Sequence, residues 1–169
     1  RTVHNITFGG GQEDGLRSGT VNVAAVASLA KALRLSQEKV DSVKVKHKEF
    51  KNMIVEGFSK YNHIVINSPL SEKYIDSIIN ISLPKIKGEA IVNALNERGI
   101  MVSTTSACSS KTFHLNEALF ARGLSRENIE GSIRVSFSNE TTKKEVETFI
   151  EVFIDEYNKK FKEVIESGI

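Results

Sequence analysis

The stretch "SIRVSFSNETTKKEVE", residues 132–147, combines the pattern of a strand with the start of a helix. Residues 132–137 alternate between polar and apolar side chains, as a half-buried strand does. Thr142 and Glu145 have the spacing of a capping box, with Thr142 as N-cap. Apolar side chains then recur on one helical face at Val146, Phe149, Ile150, Phe153, Ile154 and Tyr157. The stretch therefore predicts a strand followed closely by the last helix.

Upstream of this stretch, helical and strand patterns alternate. A helical pattern over about 21–59 has an apolar stripe in its second half. Its first half, "VNVAAVASLAKAL", is apolar nearly all round, which predicts burial against a second domain or subunit. The shorter patterns are, in chain order, strands at 63–67 and 78–83, a helix over 88–98 with Gly99 as C′ residue, a strand at 100–103 and a helix over 113–122. The predicted fold class is α+β, an α/β sandwich whose small, mostly antiparallel sheet is covered by helices.

The composition is that of an ordinary globular domain. Of the 169 residues, 40% are hydrophobic and 26% are charged, and the formal net charge is +2. This balance gives no case for direct nucleic-acid binding or for a membrane partner. The histidines show no metal-ligand spacing, so no metal site is predicted, and His47 on the apolar stripe is predicted to be structural. The single cysteine excludes an internal disulfide, and a reducing, cytoplasmic compartment is expected.

That cysteine, Cys108, lies in the small and polar segment "STTSACSSK", residues 103–111. A cysteine reacts as its thiolate, which requires exposure and either a nearby positive charge or a bound cofactor. The polar neighbours predict exposure, and Lys111 and His114 are close in sequence. The residues alone leave two interpretations open, a catalytic thiol and an unremarkable surface thiol.

The glycine-rich start of the chain is a second candidate site. Residues 1–19 hold five of the eleven glycines, but they lack the ending of a P-loop and the spaced glycines of a dinucleotide site. The segment "RSGT", residues 17–20, stands just before the long helix. Backbone amides and the Thr20 hydroxyl could hold a phosphate there. The alternative is that Ser18 or Thr20 simply caps the helix.

Arg134 is a third candidate, because it lies inside the predicted strand between two apolar residues. Alternation puts Arg134 on one face with Ser132 and Ser136. Its guanidinium could form a bidentate ion pair with a carboxylate. The alternative is a solvated sheet face, and the residues alone do not decide between the two.

Three motifs, "GGGQEDGLRSGT" (9–20), "VSTTSACSS" (102–110) and "GSIRVSFSNETTKKEVE" (131–147), occur in this order. Together they resemble the C-terminal part of the NifS/IscS-like cysteine desulfurases, pyridoxal-phosphate enzymes of the class V aminotransferase group with the type I aminotransferase fold. The resemblance covers essentially the whole chain. It implies that residues 21–169 are the small C-terminal domain of that fold. Residues 1–20 would be a glycine-rich segment leading from a large cofactor domain.

The resemblance also implies an activity, the removal of sulfur from L-cysteine to give alanine and a persulfide on the protein. By match to the motifs, Cys108 would be the nucleophile and persulfide carrier, and Arg134 would bind the substrate carboxylate. Thr20 would contact the phosphate of pyridoxal phosphate across a homodimer interface. The motif residues without an assigned role are Gln12, Glu13 and Arg17. The implied sulfur acceptor is an iron–sulfur scaffold protein or a tRNA-thiolation enzyme.

The sequence departs from the family pattern in two places. Thr105 stands where many relatives have a glycine, which leaves the resting shape of the cysteine loop open. The family's cofactor-binding lysine lies upstream of the glycine motif, and no lysine precedes Lys31. The chain is therefore expected to be a C-terminal fragment that is inactive alone. The alternatives are a stand-alone persulfide carrier and another class V enzyme, such as a selenocysteine lyase.

Overall fold

The computed structural model describes residues 4–104 and 116–166, with side chains described up to residue 162. The chain divides into two compact units, Arg1–Asp41 and Ser42–Ile169. The elements are α1 (Val23–Phe58), β1 (Val65–Ile66), β2 (Ile78–Ser82), α2 (Gly88–Glu97), β3 (Ser103–Thr104), α3 (Glu117–Ala121), α4 (Arg126–Glu130), β4 (Ser132–Ser136) and α5 (Lys143–Glu166). Among the described helices, none has the length and apolar composition that a bilayer crossing requires.

The four strands form one antiparallel sheet in the order β1–β2–β4–β3. β4 is an inner strand that pairs with β2 over its whole length, and Ile79 lies opposite Val135. On its other side β4 pairs with the two residues of β3. Because side chains alternate along a strand, this register gathers Ile79 and Ile81 of β2 with Ile133 and Val135 of β4 on one face. The predicted small antiparallel sheet is confirmed.

One apolar cluster joins this sheet face to α1, α2 and α5. Phe58 of α1 lies with its ring centroid 4.6 Å from that of Phe153 on α5, and Ile91 of α2 is fully buried in the same cluster. Burial of such side chains is the main favourable contribution to folding, about 1.5–3 kcal/mol for each large apolar residue. The cluster fixes the sheet against the helices, so the opposite sheet face is positioned by the same packing.

The capping box at the start of α5 is confirmed. The backbone N–H of Glu145 donates to Thr142 Oγ1 at 3.3 Å, and the N–H of Thr142 donates to Glu145 Oε2 at 2.6 Å. His47 is buried as predicted, with Nε2 lying 3.2 Å from the Ser138 carbonyl oxygen. Gly99 follows α2 with φ +77°, the left-handed conformation expected of a C′ glycine.

The structure differs from the sequence predictions in four elements, of which β1 is shorter than predicted, at Val65–Ile66 rather than 63–67. α4 was not predicted, and its N-cap Ser125 accepts a hydrogen bond from the N–H of Asn128 at 3.2 Å. β3 lies at Ser103–Thr104 rather than at 100–103, because only those residues pair with β4. α3 occupies Glu117–Ala121 of the predicted 113–122, and residues 113–115 lie outside the described part of the chain.

The apolar half of α1 in the unit Arg1–Asp41 is exposed. Val23 is 73% exposed and Leu29 is 70% exposed. The burial predicted for this half is therefore not provided by the residues that the structure describes. Exposed apolar surface of this kind is typical of a contact with another domain or subunit.

Candidate functional site

Arg134 lies in the middle of β4, which is paired on both sides. Asn80 of β2 is directly opposite Arg134 on one side, and Ser103 of β3 is opposite it on the other. Directly opposite residues of an antiparallel sheet share a face, so these three side chains lie on the face away from the apolar core. Arg134 is exposed. Within the described residues, its guanidinium has no hydrogen-bond or ion-pair partner.

The predicted face shared by Ser132, Arg134 and Ser136 is present, but it is not uniformly solvated. Ser132 is 2% exposed, whereas Ser136 is exposed. The Ser132 hydroxyl donates to the Ile129 carbonyl of α4 at 2.9 Å. Thus α4 covers the start of β4 at Ser132. Arg134 is the first residue of this face of β4 that is exposed to solvent.

A buried hydrogen-bond network lies on this face beside Arg134. Asn67 Nδ2 donates to Asn80 Oδ1 and to Ser82 Oγ, at 2.6 Å each. Asn80 Nδ2 donates to the Ile133 carbonyl at 3.1 Å. Ser82 Oγ donates to the Asn128 carbonyl of α4 at 2.7 Å. This network was not among the predicted features, although the alternation in residues 78–83 puts Asn80 and Ser82 on one face.

The network is fully satisfied. Asn67, Asn80 and Ser82 are 7%, 8% and 0% exposed, so an unpaired polar atom among them would cost about 1–3 kcal/mol. No buried side-chain nitrogen or oxygen in the described part of the chain lacks a partner. Each amide therefore has a fixed orientation, and the polar face around Arg134 is ordered.

The predicted nucleophile, Cys108, lies outside the described residues, as do Thr105, Lys111 and His114. The elements on either side of this segment are described. β3 ends at Thr104, four positions before Cys108 in sequence. After the segment, Asn116 caps α3, and its side chain accepts from the Leu119 N–H at 3.1 Å.

α3 is also fixed at its other end. Arg122 lies with its guanidinium carbon 4.9 Å from the ring centroid of Tyr74 and donates to the Tyr74 hydroxyl at 2.7 Å. The loop that carries Tyr74 is held in turn by Lys51 of α1, which is fully buried. Lys51 Nζ donates to Asp76 Oδ1 and to the Ile75 carbonyl, both at 3.3 Å. The element that follows residues 105–115 thus has defined contacts with the loop between β1 and β2.

The glycine-rich segment of the unit Arg1–Asp41 is held by its own side chains. Gln12 Oε1 accepts from the Gly19 N–H at 3.2 Å, and Arg17 Nη1 donates to the Gly19 carbonyl at 3.1 Å. Glu13 and Asp14 both have φ of +53°, a left-handed conformation that costs about 1–2 kcal/mol for each non-glycine residue. Gln12 and Arg17, to which no role was assigned, therefore brace the backbone immediately before Thr20.

The alternative in which Ser18 or Thr20 caps α1 is wrong. The N-cap is Asn22, whose Oδ1 accepts from the Ala25 N–H at 3.0 Å. Ser18 Oγ donates instead to the Gly10 carbonyl at 3.1 Å. Thr20 is exposed, and its hydroxyl forms no hydrogen bond with another residue that the structure describes. Its hydroxyl is therefore available to a ligand.

A shallow pocket of about 310 Å³ lies at the far end of β4, and Arg134 does not line it. Its walls are mainly apolar, including Ile100, Val102 and Phe149, and its one carboxylate belongs to Glu145. That carboxylate is already bonded to the N–H and hydroxyl of Thr142. The pocket therefore offers no free charged group for chemistry, and Arg134 is the better-supported site.

Comparison with known proteins assigns the chain to a family. Residues 2–149 match the family profile described as "Aminotransferase class-V". The chain belongs to the class-V aminotransferase family. Within that family, it is 38% identical over 165 residues to the "NifS/IcsS protein homolog" of Lactobacillus delbrueckii subsp. bulgaricus, covering 93% of this chain and 41% of the relative. It is 33% identical over 147 residues to "Cysteine desulfurase IscS 1" of Archaeoglobus fulgidus, covering 87% and 38%.

Solved structures of the family agree with this assignment. A "NIFS-LIKE PROTEIN" superimposes with a TM-score of 0.77 at 30% identity and covers 93% of this chain and 39% of its own. The NifS-like protein from Rickettsia africae ESF-5 has a TM-score of 0.77 at 26% identity, with coverage of 94% and 41%. The class-V chain therefore spans about two fifths of the length of these relatives. The resemblance to NifS/IscS-like proteins and the predicted fold class are both confirmed.

Proposed function

We propose that this class-V chain belongs to a cysteine desulfurase, in which it supplies the residue that binds the substrate carboxylate and the thiol that accepts the sulfur. The observation that carries the proposal is the position of Arg134, which is exposed on an inner strand and unpaired within the described residues. The relatives named as cysteine desulfurases support the choice of reaction.

Arg134 would bind and orient L-cysteine. A guanidinium presents parallel N–H donors that match the two oxygens of a carboxylate. Because β4 is hydrogen-bonded on both sides, the backbone beneath Arg134 is fixed. Holding the carboxylate at one point restricts where the substrate sulfur can lie, which lowers the entropic cost of the sulfur transfer.

Cys108 would act as the nucleophile through its thiolate. The thiolate forms a bond to the sulfur of L-cysteine while the bond between that sulfur and Cβ breaks. The electron pair of the broken bond stays with the carbon skeleton, which takes up a proton and leaves as alanine. The sulfur remains on Cys108 as a persulfide. β3, which precedes Cys108 in sequence, pairs with β4 at Arg134, and this adjacency supports a shared role.

Pyridoxal phosphate is the cofactor implied by the family. The donor set at Thr20 fits its phosphate, since an exposed hydroxyl stands next to a segment braced by the Arg17 guanidinium. Thr20 would hold the phosphate, in the family pattern across a homodimer interface. When bound, the cofactor supplies an electron sink for the carbon skeleton of the substrate.

We further propose that the activity belongs to the whole protein. The first lysine of the sequence is Lys31, within α1, so we expect this chain alone to show no turnover. Residues 1–20 would lead from the cofactor domain and residues 21–169 would form the small domain. The exposed apolar half of α1 supports contact with another domain or with a second copy. An iron–sulfur scaffold or a tRNA-thiolation enzyme would take the sulfur, in a reducing compartment such as the cytoplasm.

The test is to express the full-length protein that contains this chain, load it with pyridoxal phosphate and supply L-cysteine. We expect equimolar alanine and protein-bound sulfur, with mass spectrometry locating one added sulfur atom on Cys108. Cys108→Ser should retain the cofactor absorbance but form no persulfide, and Ser109→Ala is the matched control that should behave as wild type. Arg134→Ala should raise KM for L-cysteine by about tenfold or more, because it removes a charge-assisted pair.

Three outcomes would contradict the proposal. Desulfuration at the normal rate by Cys108→Ser would remove the role of the thiol. Sulfur on Cys108 only after addition of a separate sulfur donor would indicate a persulfide carrier. Turnover of selenocysteine but not of L-cysteine would indicate a selenocysteine lyase.

A further inference from the structure

We propose that Asn80, held by Asn67, is a positioning residue that keeps the Arg134 guanidinium free for a substrate carboxylate. This inference rests on the proposed function for the identity of the ligand. Its geometric part concerns only the sheet face on which Arg134 lies, and it assigns a role to a network that the class-V family match leaves unexplained.

The first step is adjacency. Asn80 and Arg134 are directly opposite each other on β2 and β4. Such pairs have Cβ atoms about 4.5–5.5 Å apart, so the register places the side-chain oxygen of Asn80 beside the Arg134 stem on the β2 side, as it places Ser103 on the β3 side. An arginine beside an available amide oxygen can donate a hydrogen bond to it, so that its guanidinium packs flat on the sheet and is not free for a ligand.

The second step is that this oxygen already has a donor. Asn80 Oδ1 accepts from Asn67 Nδ2 at 2.6 Å. The side-chain amide of Asn67 is held in this orientation, because the same Nδ2 also donates to Ser82 Oγ at 2.6 Å. The Ser82 hydroxyl in turn donates to a backbone carbonyl of α4. The network therefore competes with Arg134 for this neighbouring neutral acceptor, and the guanidinium has no partner among the described residues.

The third step is that Asn80 also holds the backbone of Arg134. Asn80 Nδ2 donates to the carbonyl of Ile133 at 3.1 Å, and that carbonyl belongs to the peptide group that joins Ile133 to Arg134. The backbone N–H of Asn80 donates to Ser68 Oγ at 3.1 Å. Fixing this peptide plane fixes the direction in which the side chain of Arg134 leaves the strand.

The decisive variant is Asn80→Asp, which changes almost no volume, places a carboxylate opposite Arg134 and removes the donor to the Ile133 carbonyl. We expect an internal ion pair between the new carboxylate and the guanidinium. In the loaded full-length enzyme, KM for L-cysteine should rise about fivefold, while the dissociation constant of cysteamine, which lacks a carboxylate, should stay unchanged. Asn67→Ala, which leaves Asn80 in place but frees its oxygen, should raise KM in the same direction by about twofold.

A second measurement does not depend on the reaction. In this chain labelled for NMR, the new carboxyl of Asn80→Asp should titrate with a lowered pKa, and the Arg134 Nε–H signal should shift in the same titration. Ile79→Val, on the opposite face of β2, is the control that perturbs the strand without changing this face. It should leave the Nε–H signal, the KM for L-cysteine and the dissociation constant of cysteamine as in wild type.

The outcomes separate the two proposals. If the full-length protein gives no alanine from L-cysteine, the proposed function is refuted. The NMR titration still decides whether Asn80 controls the hydrogen bonding of the Arg134 guanidinium. An Arg134 signal that does not respond to the new carboxyl overturns the positioning role, even if desulfuration is normal. Equal changes for L-cysteine and cysteamine, or equal changes in Ile79→Val, would also overturn it, because they indicate a general loss of structure.

Discussion

Replacing Gly131 by alanine should destabilise the sheet at the start of the strand that carries Arg134. Gly131 immediately precedes β4, and its carbonyl accepts from the Leu83 N–H at 3.0 Å. A Cβ at this position would overlap the Leu83 carbonyl oxygen and would lie 2.9 Å from that of Ile86. Both neighbours are backbone atoms of the segment that follows β2, so this segment and the start of β4 must move apart. Because φ at Gly131 is −86°, the penalty comes from this close approach and not from backbone strain.

The expected magnitude follows from two terms. Overpacking against a fixed neighbour costs about 1–3 kcal/mol, and the Leu83–Gly131 hydrogen bond contributes about 1 kcal/mol. We therefore expect Gly131→Ala to lower the free energy of unfolding by about 3 kcal/mol. For a chain of this size, that corresponds to a fall in Tm of about 10 °C.

Urea and thermal unfolding followed by circular dichroism will measure the change. Gly123→Ala is the matched control, since Gly123 has φ +81° and an alanine methyl there would meet no described atom within 4 Å. This control should cost only about 1 kcal/mol. If Gly131→Ala unfolds within about 0.5 kcal/mol of wild type, β2 and β4 do not approach each other as described. If both variants lose the same stability, close approach is not the cause.

Further expectations concern a helix cap and a buried cation. Thr142→Ala should lower the free energy of unfolding by about 1 kcal/mol through loss of the N-cap, measured by urea titration. Hydrogen bonds from Thr142 hold the pKa of Glu145 below its ordinary value of 4.5. The stability advantage of wild type over Glu145→Gln should therefore be present above pH 4.5 and disappear as the pH falls through the folded-state pKa. A stability advantage that grows on acidification would contradict this prediction. Asp76→Ala should cost about 2 kcal/mol because fully buried Lys51 loses its carboxylate, whereas Lys51→Met, which removes the charge, should cost less; the reverse order would contradict this.

The sequence predicted the elements whose signal is local and repeated. The start of α5 was predictable because Thr142 and Glu145 bond to each other across one turn. β4 was predictable because its alternation matches the two sides of the sheet. α4 was not, since five residues are too short to show a helical period and its start depends on one Ser125 side chain.

Features that depend on distant partners could not be predicted in the same way. β3 has only the length that β4 gives it, because pairing stops after Ser103 and Thr104. The cap of α1 is a different case, because Asn22 is of a preferred N-cap type and bonds only three residues ahead, to Ala25, so this local signal was predictable. For the candidate site, the position of Arg134 in an alternating strand left two interpretations open, a carboxylate-binding residue and a solvated sheet face. Only the register with Asn80 shows that a buried polar network adjoins it.

The pairing of β4 on both sides has a consequence for how this position can change. Amide protons of an inner strand exchange with solvent only when the surrounding sheet opens, so those of β4 should be among the slowest in the chain. A residue at position 134 is thus presented by a backbone that does not adjust to its ligand. Substitutions there should alter which anion is recognised while leaving its location unchanged, which makes this strand a suitable place to engineer a different substrate preference.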